Sequence, residues 1–384
     1  MPNAIILGCG MVGSIMAADL ARDDDFSVTV IDTRADALQR VADRLGSRVR
    51  TMHADLGDPA NIARIIEPAD IVLGALASRI GFQTLRAVID AGRDYVDISF
   101  MPEDAWTLDE YARQRGVTAV VDCGVAPGMS NLMAGHGVRQ LDECREITIY
   151  VGGLPVERRL PYQYKAGFSP YDVIQEYTRP ARIVEHGQMV IREALSEPEI
   201  IDFDGIGSLE AFNTDGLRSL AATLDVPFMK EKTLRYPGHI DLMRAFRETG
   251  LFREDAITLR TADGATAAVR PIDVISTLMF PKWTYEEGEH DLTVMRVEVA
   301  GSRAGTPTRL RWDLLDYYDP TERATSMSRT TAFPATIIAR RIARGDLKRP
   351  GVHPPEKLAD IDGLLDHVLA ELALRGIHYD VRVD

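Results

Sequence analysis

Cysteine is scarce. Only Cys9, Cys123 and Cys144 occur in 384 residues, and no CxxC pair is present. So small a set excludes a disulfide framework and suits a reducing cytoplasm, the expected location. Histidine is sparse too: eight scattered residues with no HExxH pattern, so no zinc or other metal site is expected. G-x-S-x-G and Walker A sequences are missing as well, which argues against a nucleophile-elbow hydrolase and a P-loop enzyme. Basic charge is in deficit, 44 Lys and Arg against 58 Asp and Glu for a net −14. Nucleic acid and anionic membrane are therefore not expected as partners. The one long apolar stretch, residues 4–21, follows Met1-Pro2-Asn3, which carry no basic side chain, and it includes Gly8, Gly10, Gly13 and Asp19. It reads as a buried strand, a turn and a helix, not as a signal peptide or membrane span.

The remaining composition, 45 % hydrophobic and 27 % charged, is that of a globular protein long enough for two domains. In the first third, short apolar runs alternate with helical patterns. Strands are expected at Ala4–Leu7, Ser27–Ile31, Arg48–His53, Ile71–Leu76, Tyr95–Ser99 and Val117–Val121. Strands separated by helices predict a doubly wound α/β domain built on a parallel sheet. Near residue 125 the rhythm changes to α+β. Met295, Val297 and Val299 alternate with polar residues, as do Leu310, Trp312 and Leu314, and Gly301 to Gly305 lies between the runs. That pattern predicts an antiparallel hairpin with one wet face. From about Thr331 the chain reads as helical again, with Leu358, Ile361, Leu365, Leu369 and Leu372 at three- and four-residue spacing.

The sharpest motif is Gly8-Cys9-Gly10-Met11-Val12-Gly13, set between the first strand and a helix, with Asp32 ending the second strand. The first glycine permits the turn, the second lets a pyrophosphate approach the backbone, and the third lets helix and strand pack closely. Asp32 is placed to accept ribose hydroxyls and would repel a 2′-phosphate. Arg34 is either a 2′-phosphate contact or a solvated surface cation. NAD is the expected cofactor, with NADP the alternative. Asp55 is read as an adenine-side contact or a helix cap, and Ala75-Leu76 as lying under the nicotinamide half. Asp97 to Phe100 and Asp122-Cys123-Gly124 fall at the strand ends where such sheets bind ligands. Hydride chemistry on a nicotinamide is the reaction class that remains.

Further segments carry a resemblance. They are Gly124-Val125-Ala126-Pro127-Gly128-Met129-Ser130-Asn131, Tyr150 to Pro155, Tyr164-Lys165 with Phe168-Ser169, Glu231 to His239, and Gly351 to Glu356. On these the chain resembles the saccharopine dehydrogenase family, most closely its lysine 6-dehydrogenase branch. The resemblance implies a Rossmann domain over residues 1–125 and an inserted α+β domain over 126–330 for substrate and dimer contacts. It also implies C-terminal helices over 331–384 that return to the first domain, and a homodimer acting on a small amino acid. Ser99 and Phe100 would sit where cofactor and substrate meet. Thr233 and Arg235 would hold a substrate carboxylate, the alternative for Arg235 being a structural ion pair. Tyr164-Lys165 matches a pair of the family, in which Lys165 would accept a proton or orient the amine, or else be an ordinary surface lysine.

One departure stands out: Ala126 occupies the place of an Asp in the saccharopine-cleaving enzymes, which favours a smaller substrate such as lysine. Arg218 is read as replacing a substrate-binding basic residue. For a longer secondary amine, Arg218 or Arg179 would supply a second carboxylate anchor. The reading from a different class is a nucleotide-binding protein without turnover.

Overall fold

The computed structural model describes residues 1–22 and 24–384. Each β-branched run of the first third becomes a strand, and the sheet they form is parallel throughout. Its order is Gly351–His353, Thr118–Val120, Asp94–Asp97, Ile71–Gly74, Asn3–Leu7, Ser27–Asp32 and Val49–His53. The chain reverses its direction of growth beside Asn3–Leu7, so the glycine motif emerges at the topological switch point. The outermost strand on one side comes from the C-terminal segment, where helices alone were expected.

The second sheet has nine strands. Its centre is Phe228–Arg235 and Glu143–Pro155, which run parallel, followed by Asp291–Arg303 and Thr306–Tyr317. In the last two strands Met295 pairs with Leu314, Val297 with Trp312 and Val299 with Leu310. These six side chains are buried in a core shared with the first domain. On the opposite face Arg296 donates to Asp313 at 2.7 Å. Gly301 marks a register shift, and a Cβ there would lie 1.9 Å from the Glu143 carbonyl oxygen.

Residue 331 falls inside helix Ser326–Ala343, so that helix carries the chain without interruption from the second sheet back to the first domain. A buried ion cluster anchors it. Asp19, at 1 % exposure, accepts from Thr336, Arg340 and Arg375. Burial opposes ionisation of Asp19, but the two guanidiniums outweigh it and hold the carboxyl below its ordinary range. The apolar pattern after residue 355 forms a 3₁₀ turn, Pro355–Leu358, and a separate helix, Leu364–Leu374. Gly363 at φ +70° caps that helix at its start. The final strand, Tyr379–Val383, joins the second sheet. The C-terminal segment thus ties both sheets together.

Candidate active site

The glycine turn shows what each glycine does. A Cβ on Gly8, which has φ +101°, would lie 2.3 Å from the Ala75 carbonyl oxygen, and one on Gly13 would lie 2.1 Å from that of Gly8. Both positions are closed to any side chain. At Gly10 the nearest atom is Arg34 Nη2, 3.9 Å away, so backbone there is open to a ligand. Gly10 also precedes helix Met11–Leu20, which has no side-chain cap and no acid in its first turn. Its first N–H groups and dipole are free for an anion. Met11 is 43 % exposed beside this opening, while Val12 packs inward on the core. The donor set and the open backbone fit a dinucleotide pyrophosphate.

Asp32 is nearly buried. One carboxylate oxygen accepts the Cys9 N–H at 2.6 Å, and the other accepts the Arg34 N–H at 2.8 Å. The Arg34 side chain lies 3.4 Å from the same carboxylate and stays half exposed. Burial and the Asp32 charge push the Cys9 thiol up to about 11, so it is inert. Asp55 is exposed and turns to the Gly57 N–H at 2.8 Å. The cap of the next helix is Asp58, not Asp55, and it accepts from Ala60 at 2.9 Å. Ala75 and Leu76 wall the glycine turn.

At the ends of the neighbouring strands, Ser99 donates its N–H and hydroxyl to Asp97 at 3.1 and 2.8 Å. Burial raises the Asp97 carboxyl to about 7; the Ser99 bonds oppose the shift and the nearby Asp122 charge adds to it. Ser99 is 2 % exposed, so its hydroxyl is committed to Asp97. Burial, with the Asp122 and Asp97 charges, pushes the Cys123 thiol far up, so it stays protonated beside the strand ends.

Asp122 meets the second domain. Arg218 donates to both its oxygens at 3.1 and 3.2 Å, each side chain being 8 % exposed. Arg218 is therefore engaged by a protein carboxylate, where a substrate ligand was expected. Its guanidinium also lies 4.5 Å from the Phe100 ring centre, and that of Arg179 lies 5.6 Å from the same ring.

Helix Pro170–Thr178 organises the rest. Ser169 caps it, and in its first turn Asp172 accepts from Ser78 of the first domain at 2.7 Å. One turn on, Glu176 pairs with Arg235 at 2.6 Å. Arg235 also donates to the Tyr177 hydroxyl at 3.1 Å, the Leu234 carbonyl at 2.9 Å and the Tyr164 hydroxyl at 3.4 Å. His239 extends the chain. Its Nε2 meets the Tyr177 hydroxyl at 3.0 Å and its Nδ1 the Tyr162 carbonyl at 2.9 Å. Burial, with the Arg235 charge, lowers its pKa to about 3, so the ring is neutral.

Thr233 shares a strand face with Arg235 and Glu231 and meets the Thr214 hydroxyl at 2.9 Å. Thr214 in turn donates to Glu231. Burial raises Glu231 to about 8; the Thr214 bond opposes, and the charges of Glu176 and Asp215 add.

Lys165 is the clearest correction. Tyr164 faces Arg235, whose guanidinium lies 4.4 Å from its ring, whereas Lys165 pairs with Glu289 and donates to the Thr284 carbonyl at 3.1 Å. The two side chains are engaged by different partners, so they do not act as a pair. The sequence reading also missed Glu176 and Glu231. The four-residue spacing of Asp172 and Glu176 on a capped helix was the available signal for the first. Among the described residues no group of His, Cys, Asp and Glu could hold a metal, and no helix is long and apolar enough to cross a membrane.

This architecture of a parallel dinucleotide-type sheet joined to a large mixed sheet has known counterparts. Residues 4–120 match the saccharopine dehydrogenase NADP binding domain, and residues 124–377 match the saccharopine dehydrogenase C-terminal domain. The chain belongs to the saccharopine dehydrogenase family. Saccharopine dehydrogenase [NADP(+), L-glutamate-forming] of Saccharomyces cerevisiae is 21 % identical, covering 92 % of this chain and 93 % of the yeast protein. Carboxyaminopropylagmatine dehydrogenase of Synechocystis is 21 % identical, with coverage of 98 % and 96 %. Bovine mitochondrial alpha-aminoadipic semialdehyde synthase is also 21 % identical, but the chain spans only 47 % of its length. The apo yeast saccharopine dehydrogenase structure superimposes over 100 % of both chains with a TM-score of 0.82 at 19 % identity, which establishes the shared fold.

Proposed function

We propose that this protein is an NAD-dependent oxidoreductase acting on a C–N bond of an amino acid, and that its substrate is the terminal amine of L-lysine, converted to the semialdehyde. The observation that carries the reading is one junction. The open Gly10 backbone and the strand ends at Ala75 and Ser99 belong to one domain, and Phe100 beside them is covered by Arg218 and Arg179 of the other. Ala126 supports lysine over saccharopine, because it offers a methyl group where the saccharopine-cleaving enzymes have a carboxylate.

A bound nicotinamide would accept hydride from the carbon that bears the amine. The chain's own residues bind and orient the reactants. Gly10, the helix start and Asp32 hold the dinucleotide, and the second domain closes over the strand ends to exclude water. The amine must be neutral so that its lone pair can stabilise the cation left on the substrate. Asp97, fully buried, fixes the Ser99 hydroxyl at the strand end, and with Lys165 engaged by Glu289 the amine gives its proton to solvent. The working assembly we propose is a homodimer in the cytoplasm. Val274 and Leu278, one turn apart on helix Pro271–Trp283, are 46 % and 63 % exposed and would be covered in it.

A second reading, oxidation of a secondary amine carrying a carboxyalkyl arm, is favoured by the names of the yeast and Synechocystis relatives. A cavity of about 190 Å³ beside Asp122 and Arg218, lined also by Trp106 and Arg182, has room for such an arm. The deciding experiment is cofactor reduction at mildly alkaline pH with L-lysine, other diamino acids and saccharopine, each with NAD and with NADP. Turnover of lysine with NAD is the expected result. Turnover of saccharopine without lysine would establish the second reading, and silence with every amine would overturn both.

A further inference from the structure

Two arginines lie on Phe100, Arg218 and Arg179, and Arg235 lies on the strand face that carries Thr233; two of the three are already engaged. Arg235 spends all three guanidinium nitrogens on Glu176, two tyrosine hydroxyls and its neighbour's carbonyl. Arg218 spends two of its nitrogens on the two oxygens of Asp122. A substrate carboxylate arriving at either would find the positive charge already neutralised by a protein carboxylate and would add a second negative charge beside it in a largely buried site.

Arg179 differs. Among the described residues its side chain has no ion pair and no hydrogen-bond acceptor; its one recorded contact is the face of Phe100. It is half-buried, so its charge is only partly screened by water. Its position is also fixed. Helix Pro170–Thr178 is tied to the cofactor domain at its start by the Ser78–Asp172 bond and to Arg235 by Glu176, and Arg179 follows directly as the C-cap. Pro180 comes next and holds the backbone extended. The Phe100 ring thus carries two guanidiniums but only one matching carboxylate, Asp122. One positive charge is left over beside Ser99.

We propose that Arg179, and not Arg235, holds the substrate's carboxylate, with Phe100 as the platform that orients its guanidinium. The inference rests on the amine-dehydrogenase reading and names the feature that sets its specificity. A planar fork held on an aromatic face offers a carboxylate two parallel charge-assisted hydrogen bonds. Arg235 then becomes a positioning residue, locking helix Pro170–Thr178 so that Arg179 reaches the junction.

The test compares L-lysine with 1,5-diaminopentane, which has the same terminal amine and no carboxylate, in the unaltered enzyme, Arg179→Ala and Arg179→Lys. For Arg179→Ala, kcat/KM for lysine should fall about 10- to 100-fold, the loss associated with a charged hydrogen bond. It should fall at least ten times more for lysine than for diaminopentane. Arg179→Lys should recover part of the loss, and fluorescence titration should show unchanged binding of reduced cofactor. Equal losses on the two amines would overturn the proposal and make Arg179 a cap of its helix, since a cation at a helix C-terminus is stabilising in itself. No loss on lysine would overturn it as well. If the unaltered enzyme turns over a carboxyalkyl amine such as saccharopine but not lysine, the lysine reading fails, and the same variants on that substrate decide the role of Arg179. If nothing is turned over, melting of the cofactor-loaded protein with each amine decides it. A lysine-dependent rise that Arg179→Ala abolishes supports the anchor, and no such rise overturns it.

Discussion

The two halves of the site are built by different means. On the cofactor side the working parts are backbone: the turn Gly8 to Gly13, the N–H groups that Asp32 organises, and the wall at Ala75. On the substrate side they are long charged side chains brought together from distant segments: Asp122 with Arg218, Glu176 with Arg235, Ser78 with Asp172. A backbone site is sensitive to added atoms and nearly indifferent to charge. A side-chain network of buried ions is sensitive to the loss of either partner. Substitutions on the two sides should therefore fail differently.

The largest effect should come from Arg235→Leu. It strands Glu176, whose carboxyl burial already raises against the opposing Arg235 charge, and it leaves two tyrosine hydroxyls without their donor. A loss of about 3–5 kcal/mol is expected, read by urea unfolding. Adding Glu176→Gln should restore part of it. If the double substitution is no more stable than Arg235→Leu alone, the ion pair is not what holds the helix.

Next comes the backbone half. Gly8→Ala places a Cβ 2.3 Å from a carbonyl oxygen at a residue with φ +101°, so about 2–4 kcal/mol of stability should go, together with cofactor binding. Gly10→Ala meets nothing closer than 3.9 Å; it should leave the unliganded protein's melting temperature nearly unchanged while weakening the cofactor. Equal melting losses in the two variants would show that Gly10 is structural.

The same contrast explains what the sequence discloses. The glycine motif, Asp32 and the 295–314 hairpin are legible because their contacts follow from local spacing and period. The three-residue strand Gly351–His353 is too short to carry a period, and the apolar spacing after it conceals the break at Gly363. Tyr164-Lys165 misleads because neighbours in sequence are engaged by different partners, Arg235 and Glu289. Glu176 and Arg235 lie 59 residues apart, and no local pattern signals their pairing. Arg179 and Arg218 are equivalent in sequence as carboxylate anchors until Asp122 is seen to occupy only one of them.

A third, smaller effect follows from Glu231. Its folded pKa of about 8 lies above the ordinary carboxyl value of 4.5. Below pH 4.5 the carboxyl is protonated in both states and costs nothing. As pH rises through 4.5 the unfolded chain ionises while the folded one does not, so stability should fall until about pH 8 and then level off. Asp97, raised to about 7, should add to the fall over the lower part of that range. Glu231→Gln cannot ionise in either state and should flatten the decline, gaining about 1–3 kcal/mol at pH 8 relative to the parent. An unchanged slope of stability against pH in the variant would mean that Glu231 is ionised in the folded protein.

The smallest effect concerns the choice between two nearly identical cofactors. Asp32 Oδ1 accepts the Arg34 N–H and, at 3.4 Å, its Nε–H, whereas Oδ2 accepts the Cys9 N–H and keeps a lone pair for a ribose hydroxyl. Its negative charge disfavours a 2′-phosphate. Arg34, 3.4 Å away and 54 % exposed, partly cancels that charge and stands where a phosphate would be welcomed. The two residues therefore oppose each other, and the proposed preference for NAD should be shallow. Arg34→Ala should deepen it, weakening NADP by about 1 kcal/mol with NAD little changed. Asp32→Ala should weaken NAD more than NADP, because it removes the ribose acceptor and the repulsion together. Paired Kd values for both dinucleotides measure the two shifts directly. Equal losses of NAD and NADP in Asp32→Ala would mean that its carboxylate serves only to organise the Cys9 and Arg34 N–H groups, making this position, too, part of the backbone site.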